Sequence, residues 1–371
     1  MNSNHSRSRG CVSIAIPQLA GGGAEKLTAN LAKQLAADGL LSRVYTGASA
    51  GAERLERIAV VDLAAPRALG AAKRFLRALK GDEAQSFLLT LGYVNLAPIL
   101  RLARPRARIV LRMGNTVTPE LRTLGVAARA RYLLSLSLAV RFADQVIVQC
   151  DYMGEDLAVH LPHVQGKLES VYNFVEDDLW DYEPPPERPV PEPYLFTAAS
   201  FKVQKAHDVL LAAYAHSRAS GAGMRRLVVA GVAPDDAGYN ALMRVNGLGD
   251  EDVVRLGFVT DPYRWIAHAE VCVLASRYEG FSNFLLESAA LGKRIVATDS
   301  PGGNAELISH YPNVVAVPPD DVAALAAALG TARADIPRES ARKHMYPFEQ
   351  SRVYARYKAL LLGERPDVGT A

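Results

Sequence analysis

Two glutamates, Glu279 and Glu287, stand eight positions apart in the stretch VCVLASRYEGFSNFLLESAALGKRIVATDSPGGNAELI, Val271–Ile308. Val271–Ala275 is a short apolar run of the buried parallel-strand kind, and Arg277–Ser282 is polar and glycine-bearing, so the chain turns there. From Asn283 to Leu291 the apolar residues Phe284, Leu285, Leu286, Ala289 and Ala290 follow helical spacing with one wet edge. Ser282 is placed to cap that helix, which leaves Glu287 too deep to serve as a cap. A carboxylate there is either a solvated face residue or an acceptor of hydroxyl groups in a crevice. A further strand, Arg294–Thr298, leads into Ser300–Asn304, a second tight loop that opens a second helix. Two helix starts beyond the carboxyl ends of parallel strands attract an anion through backbone N–H groups and positive dipole ends. A phosphate between two carboxylates suits a ligand with hydroxyls on both sides of it, which describes a nucleotide sugar. A hydrolytic carboxylate pair is the competing chemistry, and the phosphate-type helix starts argue against it.

These residues carry a resemblance. EGFSNFLLE resembles the E-x7-E motif of the retaining GT-B glycosyltransferases of family GT4, and GGNAELI resembles the GGxxE segment that follows it there. ASFKVQKA, Ala199–Ala206, is similar to the segment GRLxxxKG, in which an Arg and a Lys hold the donor diphosphate. Lys205 matches the Lys, Ser200 stands in place of the Arg, and Ala206 stands in place of the Gly; Lys202 is the other cation of the segment. Glycines Gly22 and Gly23 of GGGAE resemble the amino-terminal loop that faces the donor, and GGGAE lacks the glycine spacing of a dinucleotide fingerprint. VVRLGFV resembles the strand whose following loop meets the nucleobase, which places Phe258 and Val259 there. The family often has a His near the donor sugar after the fourth or fifth strand; here Arg112 and Asn115 are the polar substitutes.

The resemblance implies an α/β protein of the GT-B class: two Rossmann-like, doubly wound parallel-sheet domains facing a cleft, with a C-terminal helix crossing back to the first. It implies a metal-free, retaining transfer with a nucleotide sugar as co-substrate, UDP-linked in preference to GDP-linked. Lys205 and the loop Gly280, Phe281, Ser282 and Asn283 would hold the diphosphate, Glu279 would orient the donor sugar, and Glu287 would bind the ribose. The acceptor would be a glycan or lipid-linked glycan of cell-envelope or exopolysaccharide assembly. A sugar-nucleotide epimerase, or a non-catalytic relative that binds a glycan or a partner, are the alternatives. Ser200 in place of Arg and the missing His motivate the latter.

The rest of the chain must position these loops. Its 371 residues suffice for about two domains. Strands alternate with helices throughout, including one long helical stretch Pro119–Ala143, as a parallel sheet covered on both faces requires. The Pro-rich segment EPPPERPVPEP divides the chain into 1–182, a linker 183–193, a nucleotide-sugar domain 194–345 and a crossing helix with tail 346–371. No apolar run is long enough to span a bilayer, and the first apolar run reads as a strand and not as a signal peptide. Cys11, Cys150 and Cys272 lack metal spacing and fall beside apolar runs, as small buried hydrophobes do. Pro162 in HLPH breaks the helix that would align His160 and His163 as metal ligands. The net charge is only +3. Between Pro66 and Arg141, however, fourteen basic residues face three acidic ones, with Arg101, Arg104, Arg106 and Arg108 closely spaced. Few aromatics accompany them, so an acidic inner-membrane surface, and not nucleic acid, is the expected partner of a cytoplasmic protein peripheral to that membrane.

Overall fold

The computed structural model describes residues 12–220, 225–331 and 334–364. The chain folds into two units, 1–173 with 351–371, and 174–350. Cys11 lies outside the described residues; Cys150 and Cys272 are buried, and burial pushes the Cys272 thiol up to about 11.

Among the described residues the first unit carries seven strands: β1 (Val12–Ile16), β2 (Leu41–Thr46), β3 (Val60–Asp62), β4 (Ser86–Thr90), β5 (Arg108–Arg112), β6 (Gln145–Val148) and β7 (Leu168–Ser170). They are all parallel, in the order β3-β2-β1-β4-β5-β6-β7. Strands covered on both faces read as continuous apolar runs, and VSIAI of β1 is buried at every position. The order reverses direction between β1 and β4, so right-handed crossovers put helix Gly23–Ala37 on one face of the sheet. Helices Ala68–Leu79, Ala97–Ala103 and Val126–Phe142 then lie on the other. The expected helix Pro119–Ala143 is two helices, Val117–Arg122 and Val126–Phe142, because the chain leaves helical geometry at Gly125, which caps the second.

The chain's last helix, Gln350–Leu362, belongs to this unit. Arg108 Nε donates to Leu360 O at 2.6 Å, and Lys358 Nζ meets Asp38 Oδ2 at 2.5 Å. No helix of the described residues is long and apolar enough to cross a membrane.

Among the described residues the second unit carries six strands: β8 (Tyr194–Ala198), β9 (Arg226–Ala230), β10 (Val253–Gly257), β11 (Val271–Leu274), β12 (Ile295–Thr298) and β13 (Val314–Val317). They are also parallel, ordered β10-β9-β8-β11-β12-β13. One core cluster joins Leu195, Leu227, Val229, Val271, Val273 and Val296 of the strands to Leu210, Leu211 and Leu325 of the helices. The contact boundary falls at Asn173–Phe174, upstream of the Pro-rich segment taken as the linker, which lies within the second unit. His268 Nε2 bonds Pro185 O at 2.7 Å, Arg264 reaches Glu187 O, and Val190 is buried. Prolines exclude helix, but they do not stop a segment from packing along a surface.

Candidate active site

In the second unit the strand order reverses between β8 and β11, and the loops leaving these two strands are the ones that carry Lys205 and Glu279. Chain connections diverge at such a reversal, and a crevice opens beyond the carboxyl ends of the two central strands. Lys205 Nζ lies 2.5 Å from Glu279 Oε1. Ser276 Oγ donates to the same oxygen at 2.6 Å, and Gln204 Nε2 reaches Glu279 Oε2 at 3.4 Å and Tyr278 O at 3.0 Å. Glu279 is 4% exposed, so its charge is held by three donors in a nearly dry setting. Lys205 keeps about a fifth of its side-chain surface. An ammonium has three donors, so engaging Glu279 leaves it able to hold an anion at the mouth of the crevice as well.

Arg277 ties these loops to their surroundings. Its guanidinium meets Asp208 at 2.6 Å, Asp320 at 2.7 Å and Val203 O at 2.7 Å, while its backbone N–H donates to Gln204 O at 2.8 Å. Burial would raise the Asp208 carboxyl, but the Arg277 hydrogen bond and charge outweigh it and hold that carboxyl below its usual range. Gln204, Ser276, Arg277 and Asp208 had no assigned role in the sequence reading; only their adjacency to Lys205 and Glu279 marked the first three.

The second glycine loop is zipped to the first. Glu279 N donates to Pro301 O at 3.0 Å, and Gly303 N to Gly280 O at 2.9 Å. Gly302 sits at φ +119, and a Cβ there would lie 1.6 Å from Glu279 O. This is why the sequence needs glycine at the position. Helix Asn283–Ala290 starts where expected, with Leu285 N donating to Ser282 Oγ at 3.3 Å. Phe281 and Ser282 are buried, and Glu287 is half-buried on the same helix.

The loop after β8 places Ser200 and Lys202 at the surface. Ala206 adopts φ +48, a left-handed conformation that costs an alanine and that a glycine would meet freely. His207 opens helix His207–Ala219. Its Nε2 donates to Ser200 O at 3.2 Å and its Nδ1 stands 3.4 Å from the Tyr239 hydroxyl. Burial pushes its pKa down to about 4, so the imidazole is neutral at pH 7. Phe201 packs edge-on against His207 and Tyr239. Beyond β10, Phe258 is 72% exposed and Val259 half-buried. Trp265 packs on Phe196 with near-parallel rings and on Tyr194 edge-on.

In the first unit, Gly22 and Gly23 open helix Gly23–Ala37 beyond β1, beside the reversal between β1 and β4. Asn115 lies half-buried beyond β5, hydrogen-bonded to Glu120, whose carboxyl is raised by burial against bonds from Tyr132 and Asn115. Arg112 departs from expectation. It is fully buried, with Nε donating to the Tyr357 hydroxyl at 2.9 Å and Nη2 to Asn173 Oδ1 at 2.8 Å. A side chain sealed under the last helix has no surface to offer a donor sugar.

Residues 192–335 match the family model described as Glycosyl transferases group 1. A curated relative from Campylobacter jejuni, N-acetylgalactosamine-N,N'-diacetylbacillosaminyl-diphospho-undecaprenol 4-alpha-N-acetylgalactosaminyltransferase, is 28% identical over 172 residues. That match spans about half of either chain, 46% of each. Solved structures share the fold across nearly the whole chain. A lipopolysaccharide outer core galactosyltransferase superposes with TM-score 0.68 at 17% identity, covering 95% of this chain and 99% of that one. Sucrose-phosphate synthase from Thermosynechococcus elongatus does so with TM-score 0.74 at 16% identity, covering 95% and 98%. Anabaena HepE, in complex with UDP and glucose, does so with TM-score 0.71 at 17% identity, covering 93% and 97%. Two parallel Rossmann-like sheets and superposition over nearly the whole chain show that the protein shares the GT-B fold of these structures, and residues 192–335, which hold the Lys205–Glu279 pair, match the group 1 glycosyltransferase model.

Proposed function

We propose that the chain transfers a sugar, with retention and without a metal ion, from a nucleotide-sugar donor to a glycan or lipid-linked glycan acceptor. The donor is UDP-linked in preference to GDP-linked, and the setting is cell-envelope or exopolysaccharide assembly, at the inner face of an acidic membrane. The observation that carries this is the Lys205–Glu279 pair, 2.5 Å apart at the strand reversal of the family-matched region. The GT4 resemblance of EGFSNFLLE, the UDP complex of HepE and the diphospho-undecaprenol in the C. jejuni relative's name support the donor and acceptor classes.

On this reading the donor diphosphate docks at the amino end of helix Asn283–Ala290, where the dipole favours negative charge. When the bond from the anomeric carbon to the diphosphate oxygen breaks, negative charge grows on the leaving oxygen. The Lys205 ammonium, already fixed by Glu279, stabilises that charge without having to reorganise. Glu279, poised by Ser276, accepts hydrogen bonds from donor-sugar hydroxyls, while Glu287 takes the ribose hydroxyls. Phe258, exposed beyond β10, is the surface offered to the base.

A thermal-shift screen against UDP-, GDP- and ADP-sugars tests the reading, since a ligand bound only by the folded state raises its melting point. A UDP-sugar that stabilises the wild type and fails to stabilise Lys205→Ala is expected. Glu287→Ala is expected to weaken nucleotide binding, and Glu279→Ala mainly to lower turnover. Silence of the whole panel would favour the second reading, a non-catalytic relative that binds a glycan or a partner. Ser200 motivates that second reading, because it is exposed and neutral where a second cation would sit.

A further inference from the structure

The basic excess of the first unit divides, in three dimensions, into two sets with different jobs. Arg101 is spent on Asp144 and on the carbonyls of Phe142, Pro105 and Ala107. Arg104 closes onto Leu79 O and Asp82 O, Arg108 onto Leu360 O, and Arg74 onto Leu63 O and Ala64 O. These arginines satisfy carbonyls left over at helix ends and turns, and three of the four clustered ones, Arg101, Arg104 and Arg108, are therefore internal fasteners.

The second set stands on the outer faces of helices Ala68–Leu79 and Val126–Phe142. Residues seven or eleven apart on a helix share one side. On the first helix and its last cap this side reads Leu69, Lys73, Leu76, Lys80, all exposed, while Ala71, Phe75 and Leu79 face inward. On the second it reads Ala127, Arg131, Leu134, Leu138, Arg141, all exposed, with Leu136, Ala139 and Val140 buried. Leu69 is 89% and Leu134 63% exposed. Helix Ala97–Ala103 packs against both and adds exposed Leu102. None of the three helices contains an Asp or Glu.

We propose that this leucine-and-lysine face of the first unit docks on an acidic phospholipid bilayer, with its leucines entering the headgroup boundary and its basic side chains meeting lipid phosphates. The proposal deepens the membrane placement given above and rests on it. Exposed leucines at whole-turn spacing are the apolar half of an interfacial helix, and Lys and Arg beside them are its charged half. A second copy of this chain would bring an equally basic, acid-free face against the first, and like charges at short range oppose that contact. A bilayer carrying anionic lipid supplies both the apolar depth and the opposite charge.

The test uses the full chain and vesicles of phosphatidylcholine alone, or of phosphatidylcholine and phosphatidylglycerol in equal parts, in a co-sedimentation assay at low and high salt. One variant carries Leu69→Ser, Leu76→Ser, Leu134→Ser and Leu138→Ser; the other carries Lys73→Glu, Lys80→Glu, Arg131→Glu and Arg141→Glu. The wild type is expected to sediment with the acidic vesicles and to keep part of that binding at high salt, where screening removes only the charged share. Each variant should bind them about tenfold more weakly or worse, with an unchanged melting temperature. Equal binding by wild type and variants, or none by the wild type, overturns the proposal. So does a wild-type dimer in sedimentation velocity that only the serine variant dissolves, since the face would then belong to a second copy. Nucleotide-sugar thermal shifts on the same proteins report separately: if they fail while vesicle binding stands, the transferase reading has failed and the docking face has not.

Discussion

Lys205 and Glu279 neutralise each other, so on the proposed reading the site would meet a diphosphate with one shared cation, where the GT4 motif it resembles has two. Charge-assisted contacts are about twice as strong as neutral ones, and Ser200, exposed on the same loop, is the position that lacks one. Ser200→Arg is therefore expected to tighten UDP binding by about tenfold in calorimetry, roughly the 1.4 kcal/mol of one added charged contact. A weaker or unchanged affinity would show that the diphosphate does not approach this loop. His207 makes a different prediction. Its folded pKa, about 4, lies below its unfolded value near 6.5. The fold therefore favours the neutral ring, and the associated stability is complete above pH 6.5 and drains away as the pH falls toward 4. Over that window the loss amounts to about 3 kcal/mol. Denaturant titrations across this range should show the decline in the wild type and a flatter profile in His207→Gln. Much of the site was legible residue by residue: Glu279, the Ser282 cap and the glycines announce themselves locally. Gln204 and Arg277 did not, because their partners lie across a strand order that spacing cannot display.

At the scale of elements, the site is two loops held edge to edge. Glu279 and Gly302 form an isolated parallel bridge, and Gly303 returns a bond to Gly280. A methyl group on Gly302 would have to displace the backbone of the residue that holds Lys205. Gly302→Ala is expected to cost about 3 kcal/mol or more, through a left-handed backbone and a clash with main chain. It should lower the melting temperature and turnover together. The elements themselves followed from periodicity, since buried parallel strands and amphipathic helices carry clear patterns. The break at Gly125 was hidden because the sequence on both sides remains good helix, and only packing decided where the chain would bend.

At the scale of the whole molecule, the first unit is completed by helix Gln350–Leu362. Tyr357 accepts from a guanidinium that has no exposed surface, and Lys358 pairs with Asp38. Tyr357→Phe should destabilise the first unit by about 2 kcal/mol, because a buried charged donor loses its acceptor. Ending the chain after Gln350 should prevent that unit from folding stably, which circular dichroism and proteolysis of the truncated protein would report. The first unit therefore completes only after the second has been synthesised.

The sequence by itself determined the class of the fold, the motif-bearing loops and the chemistry those loops suit, because each depends on residues near one another in the chain. Tertiary structure alone decided which cations serve the interior and which face outward, that Arg112 is sealed beneath Tyr357, and that the proline segment lies along the second unit. Those outcomes turn on contacts between positions tens to hundreds of residues apart. Composition counts charges, but it cannot say which carbonyl each of them will meet.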